Sequence, residues 1–326
     1  MKKIGIATFT LVFIFFGIVT LQTLDKVRKT NWELPTPTIT EEETLRFVMI
    51  TQDLETPFWD KVATGAKQAA EELTISLEVW GSYGNQQETF LKQIEIAIHG
   101  KVDGIIVQGS DTDKFKELTK VKASFYGIPI VTVANDVPMQ ESLRKTYVGS
   151  DHQKAGKMIA NQLVKDMGNQ GEVILLYDTN KFDYQMKRIE GIQSVLEKYP
   201  SISVYHAKSE GSREQIQMTT QHMLNVYPKA KAYIAVNANM ASPLVHEISK
   251  RYQVEPYYLY SFDDGAESTA LLETGKLDAI IEQDPSMIGE ISVEKLAEWV
   301  RGQSFPLDSE GYFTNIRVAK VKTNDE

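Results

Sequence analysis

Residues 46–81 read RFVMITQDLETPFWDKVATGAKQAAEELTISLEVWG, and three short patterns in that stretch set the fold class. RFVMIT is a compact run of β-favouring apolar residues. After a Thr-Pro step, Trp59, Val62, Ala63, Ala66, Ala70 and Leu73 recur at helical spacing. SLEVWG then returns to strand character. A strand, a helix-length crossover and a second strand make a βαβ unit, which pairs parallel strands. The proline sits where a helix begins, a position that tolerates its missing N–H. The side-by-side Phe58 and Trp59 that follow read equally well as core packing or as rings waiting for a flat ligand.

Outward from this unit the alternation continues. DGIIVQ, PIVTVA, KTYVGS, GEVILLY, SVYHA, AYIAVN, YYLYSF and LDAIIEQ bring the strand candidates to ten, most separated by helix-length segments such as that carrying Ile159, Leu163 and Met167. Nearly continuous apolar runs fit strands buried on both faces. Ten strands exceed what one compact doubly wound sheet usually holds, and 326 residues suffice for two cores, so two lobes are expected.

A net charge of −9 disfavours nucleic acid as a partner. With no cysteine, disulfides, thiolate metal sites, a cysteine nucleophile and a lipid anchor on an N-terminal cysteine are excluded. Residues 4–24, IGIATFTLVFIFFGIVTLQTL, contain no charge over 21 residues. That length matches the ~20 residues of a membrane-spanning helix and exceeds the apolar region of a secretory signal. Residues 1–29 therefore read as a membrane anchor, in preference to a cleaved signal, with the bulk of the chain outside the cytoplasm. Residues 30–44, with two prolines and an acidic run, read as an extended linker.

Open α/β sheets bind ligands at the carboxyl ends of their strands. Those positions carry Asp53, Phe58 and Trp59; Gln108, Ser110 and Asp111; Asn135 and Asp136; Asp178 and Asn180, with Arg188 on the next helix; Asn237 and Asn239; Asp263 and Asp264; and Gln283 and Asp284. Planar polar groups of this kind pair with hydroxyls, which both donate and accept, while an aromatic ring covers the C–H face of a sugar. Each residue also has a plainer reading. Asp and Asn after strands cap helices or shape turns, Arg188 is a solvated charge, and Asp263-Asp264 is a cap, a metal site or a catalytic pair. No phosphate-binding loop, dinucleotide fingerprint or nucleophile elbow follows a strand, and the five histidines form no ligand-spaced pair. A glycosidase built on Asp136 and Asp263 stays open as a weaker alternative.

Four stretches give the chain a resemblance to the periplasmic binding proteins of the ribose and galactose type, whose core is shared with LacI-type repressors. They are TPFWDKVATGAKQAAEEL, GIPIVTVANDVP with YVGSDHQKAGKMIA, RIEGIQSVLEKYP, and YLYSFDDGAESTALLETGKLDAIIEQDPSMIG, supported by AVNANMA. The resemblance spans roughly residues 45–320. It implies an α/β fold of two Rossmann-like lobes with parallel sheets, joined by a three-strand hinge and preceded here by the N-terminal transmembrane helix. The lobes would be 45–149 plus 284–312 and 150–283 plus 313–326, crossing near Gly149, Asp284 and residues 311–314. It implies Asp53, Phe58, Trp59, Arg188, Asn237, Asp263 and Gln283 as ligand-binding residues, with Phe58 and Trp59 stacking on the sugar ring.

The chain departs from the ribose-type pattern at Ala134-Asn135, where an aspartate is usual, and Asp136 two places on is the expected substitute. Gly211 and Ala238 are further departures, as is SFDDG in place of GFDG. The function so implied is a tethered, extracytoplasmic monosaccharide- or polyol-binding protein without cofactor or metal. It would close on its ligand and present itself to an ABC permease or a sensor histidine kinase, the protein tether in place of a lipid suiting the kinase slightly better. A LacI-like regulator core lacking its DNA-binding headpiece, and a sugar-processing enzyme, are the alternatives.

Overall fold

The computed structural model describes residues 13–24, 44–52, 54–82, 86–180, 182–251, 257–263 and 265–321. The chain divides into two compact units, Met1–Thr44 and Leu45–Glu326. In the first, residues 13–24 are helical and exposed. Among the described residues no helix is long and apolar enough to cross a membrane. Much of the expected span at 4–24, and all of the expected linker except Thr44, lies outside the described residues.

The second unit holds two six-stranded sheets. In the first, β1 (Arg46–Thr51), β2 (Ser76–Gly81), β3 (Gly104–Gln108), β4 (Ile130–Val133), β5 (Thr146–Ser150) and β11 (Tyr312–Thr314) lie in the order β11-β5-β4-β3-β1-β2. All these pairings are parallel, with Met49 opposite Val79 on one side and Ile106 on the other. The second sheet contains β6 (Gly171–Asp178), β7 (Ile202–Ser209), β8 (Ala230–Ala235), β9 (Tyr258–Phe262), β10 (Ala279–Glu282) and β12 (Arg317–Lys320), ordered β12-β10-β9-β8-β6-β7. Only β10 and β12 run antiparallel there. The two orders correspond strand for strand, so β4 of the first lobe is the counterpart of β9 in the second.

Side-chain alternation explains why the strands are apolar throughout. Phe47 and Met49 enter the core on one face of β1 while Val48 and Ile50 enter that on the other. Val173 and Leu175 against Ile174 and Leu176 do the same in β6. Each lobe also has a close helix pair. In the first, α1 (Pro57–Glu72) meets α10 (Pro285–Val300); in the second, α5 (His152–Met167) meets α6 (Asp183–Leu196). Both contacts need glycine. A Cβ on Gly65 would stand 2.0 Å from the Ser286 carbonyl oxygen, and one on Gly156 would stand 2.1 Å from that of Arg188.

The remaining helices are α2 (Gln87–His99), α3 (Asp113–Lys116, continuing as a π turn over Glu117–Ala123), α4 (Met139–Ser142), α7 (Arg213–Val226), α8 (Ala238–Lys250) and α9 (Ala266–Glu273). The chain passes between sheets three times: after Ser150, after Glu282, and between Thr314 and Arg317. The ten expected strands all form, and β11 and β12 are additional.

Candidate functional site

In parallel sheets every strand ends at the same edge, so the polar exits of β1, β3 and β4 in one lobe face those of β6, β8, β9 and β10 in the other. Three residues meet at the second lobe's edge. Arg188, 2% exposed, reaches back from α6 and pairs bidentately with Asp263, Nη1 to Oδ2 at 3.1 Å and Nη2 to Oδ1 at 2.8 Å. Its Nη1 also donates to the Val236 carbonyl at 2.8 Å. The guanidinium lies over the Phe262 ring at 4.5 Å and the Tyr184 ring at 5.1 Å. Gln283 donates its Nε2–H to the same Oδ1 of Asp263.

Asp263 adopts a left-handed backbone at φ 69°, a conformation that strains an ordinary residue but turns its carboxylate into this cluster. Asn237 joins at one remove, its Nδ2 donating to Gln185 Oε1 at 3.2 Å. Gln185 is fully buried and holds the β6 exit, donating to the carbonyls of Asp178 and Asn180 and accepting from the Asp178 N–H. Gln185 was not among the residues expected from sequence. Its place three residues before Arg188, on the same helical face, is the signal that could have found it.

The first lobe is built differently. Trp59, 6% exposed, is a core residue packed with Val62 and Ala66. Phe58 is half-buried and stands edge-on to the indole, ring centroids 5.5 Å apart. Thr56 caps the helix by accepting from the Trp59 N–H, which explains why the aromatics begin there. Asp136, 7% exposed, is taken up by Arg144: Nε reaches Oδ1 and Nη2 reaches Oδ2, each at 2.7 Å, and Thr132 Oγ1 donates to Oδ1 at 2.6 Å. The structure thus gathers Arg188, Asp263 and Gln283, with Asn237 beside them. It holds Asp136 in a separate pair within its own lobe. Asp53 and Asp264 lie outside the described residues.

The lobes touch at the base of this edge. Ser150 Oγ donates to Gln283 Oε1 at 2.6 Å, linking two of the crossings. The Tyr184 N–H reaches Asn135 Oδ1 at 3.4 Å, and His152 Nε2 lies 2.9 Å from the Ala134 carbonyl. Burial, helped by the Arg188 charge, lowers the His152 pKa to about 3, so the ring is neutral and Nε2–H is the donor. Burial likewise pushes the Tyr184 phenol up to about 12 and raises the Asp183 carboxyl. Three buried polar atoms here have no hydrogen-bond partner: Arg188 Nε, a donor, and Asn237 Oδ1 and His152 Nδ1, both acceptors. Among the described residues no group of three His, Cys, Asp or Glu side chains could hold a metal ion.

Comparison with known proteins gives the family and the fold. The family model described as "Periplasmic binding protein domain" matches residues 47–304. The ribose import binding protein of Escherichia coli K12 is 23% identical over 265 residues, covering 80% of this chain and 88% of that protein. Among solved structures, GanP, a glucose-galactose binding protein from Geobacillus stearothermophilus, superposes with a TM-score of 0.80 at 26% identity, covering 87% of this chain and all of that one. A structure of a XylFII–LytSN complex has the same fold, with a TM-score of 0.74 at 22% identity and coverage of 85% and 98%.

Proposed function

The chain belongs to the periplasmic binding protein domain family, and from that premise we propose that it is an extracytoplasmic sugar-binding protein, tethered to the membrane by residues 4–24, whose closed form is read by a membrane partner. The observation that carries the reading is the Arg188–Asp263–Gln283 cluster, set among one buried donor and two buried acceptors that lack partners. A hydroxyl supplies both a donor and an acceptor, so a polyol meets such a mixture where an anion or a cation would not. The arginine and aspartate already balance each other's charge. A neutral sugar therefore fits better than a sugar phosphate, whose charge would enter a buried site without a free partner.

In this reading Arg188, Asn237, Asp263 and Gln283 bind from the second lobe, while Phe58, beside Trp59, and Asp53 bind from the first. The lobes in this proposal are 45–149 with 284–312, and 150–283 with 313–326, with β11 carrying the first sheet on to Thr314. Ligand bridging them stabilises the closed state by its greater affinity for that state. No catalytic step is assigned to these residues. Relatives that are import binding proteins of ABC transporters support a permease as one partner. The two-protein XylFII–LytSN complex supports the other, a sensor kinase.

The test is calorimetric titration of the full chain with neutral pentoses and hexoses, their phosphates in parallel, and product analysis of each mixture. Saturable binding of a neutral sugar, returned unchanged, is expected. Binding of phosphates alone, or turnover of a sugar, would overturn the assignment.

A further inference from the structure

The edge opposite the cleft carries a different chemistry. There β1, β3, β4 and β5 all begin, and the helices preceding the last three end. The most exposed large hydrophobic among the described residues, Phe125 at 82%, stands at this pole with Val121 at 59%, Ile96 at 51% and Tyr126 at 43%. Their exposure follows from the π turn. Leu118 and Ala123 are both buried although five residues apart, a spacing the wider turn permits, and this leaves Val121 and Phe125, four apart, on the outer side.

Its rings are in contact. Phe125 is edge-on to Tyr126 at 5.2 Å, and Tyr126 faces the His99 ring at 6.2 Å on the end of α2. Lys122 pairs with Glu95 across the same two helices. Immediately beside it, Arg46 Nη2 donates to the Gly100 carbonyl at 2.8 Å, and the Arg46 N–H is held by Asp103. Arg46 opens β1, one residue into the second unit. Between Leu45 and the apolar segment at 4–24 lie 20 residues, which span at most about 70 Å even fully drawn out. The chain on its way to the anchor therefore leaves the lobe beside its most exposed rings.

We propose that this strand-start pole of the first lobe, Phe125 and Tyr126 with Val121 and Ile96, docks on the lipid surface. The proposal rests on the tether reading above. Rings of this kind, flanked by the exposed cations Arg46 and Lys101, match the aromatic and basic side chains that settle at a bilayer interface. Of the acids beside the rings, Glu95 is paired with Lys122, and Asp103 accepts the Arg46 main-chain N–H. The occupant is lipid because the tether brings lipid within reach of this patch in every molecule.

Because the chain has no cysteine, one substitution gives a unique label site. The full chain carrying Ser124→Cys, with a bimane dye beside the intact Phe125, would be reconstituted into vesicles of phosphatidylethanolamine and phosphatidylglycerol containing a doxyl-labelled lipid. The same dye at Met218→Cys, on α7 of the other lobe, is the reference. Expected is flotation with the vesicles, loss of most emission at 124 and little loss at 218, with the quenching at 124 reversed by Val121→Asp with Phe125→Ser. Flotation without quenching at 124, or with equal quenching at both positions, would leave the tether standing and refute the docking. A disulfide between copies at unquenched, unlabelled 124 would make the patch a self-association face and refute it too. A chain that does not float at all would sink the tether and the docking together.

Discussion

Each lobe buries one arginine–aspartate pair near its strand exits, and the two pairs are spent differently. In the first lobe Arg144 uses both carboxylate oxygens of Asp136, its Nε also donates to the Val137 carbonyl, and its Nη1 donates to the Ser309 carbonyl at 3.0 Å. That pair is closed: the side chains are 5% and 8% exposed. In the second lobe Arg188 is as deeply buried, but Asp263 keeps 24% of its side chain exposed, and the Arg188 Nε has no partner. At equivalent exits, after β4 and β9, the chain places Ala134 and Asp263, both with left-handed backbones. The same backbone device thus carries a methyl group in one lobe and a carboxylate in the other. A closed pair holds a fold together, whereas an open one has polar capacity left for a ligand.

The comparison breaks most readily at Asp136. Removing one partner of a closed buried pair costs ~3–5 kcal/mol, because the remaining charge cannot be solvated. Asp136→Ala should therefore lower the melting temperature strongly, while the protein that remains folded binds sugar normally. A mutant of wild-type stability and reduced affinity would make Asp136 a ligand residue after all. Trp59→Ala, a truncation in the core of the same lobe, should cost a similar ~3–5 kcal/mol in a denaturant titration.

Asp263→Asn tests the open pair. The loss of a charge-assisted hydrogen bond is worth about 1.5–3 kcal/mol, or roughly ten- to a hundred-fold in sugar affinity. The drop in melting temperature should be smaller than for Asp136→Ala, since Asp263 is partly exposed and solvent screens it. Unchanged affinity in a folded protein would move the site elsewhere.

A pH dependence should separate the lobe contact from both pairs. The folded pKa of His152, about 3, lies below the ordinary value of 6.5, so the unfolded chain binds the extra proton first. Stability from this group is complete above about 6.5 and is lost as pH falls toward 3, with a slope of up to about 1.4 kcal/mol per unit. Between pH 6.5 and 5 most carboxylates remain ionised, and in that interval His152→Asn should flatten the decline in melting temperature. An identical decline in the mutant would assign it to other groups. The smallest effect is expected at Phe58. A half-buried ring stacking on a sugar contributes about 0.5–1.5 kcal/mol beyond its buried area. Phe58→Ala should therefore weaken binding several-fold and leave apo melting nearly unchanged, the reverse of Trp59→Ala.

The sequence by itself determined the architecture and the edge at which the candidate site is assembled. Strand and helix periodicities are local properties, set by which neighbouring side chains face a core, so the βαβ order and strands β1 to β10 were legible residue by residue. The strand exits followed from that order, and Arg188, Asp263, Gln283 and Asn237 with them. Strands β11 (YFT) and β12 (RVAK) were not legible, because they lie at sheet edges, stay largely uncovered and carry no apolar run such as marks the equally short β4 (IVTV) and β10 (AIIE). Only the tertiary structure decided which charges are consumed. Asp136 looked available until the fold turned Arg144, eight residues on, against it, that guanidinium being held in turn by the Ser309 carbonyl 165 residues beyond the arginine. Arg188 was legible as a candidate, but not its pairing with Asp263, 75 residues away. Long-range pairing of side chains is set by how sheets and crossings assemble in space. No local pattern encodes it, and in this chain it distinguishes the arginine–aspartate pair that stabilises a lobe from the one left open to a ligand.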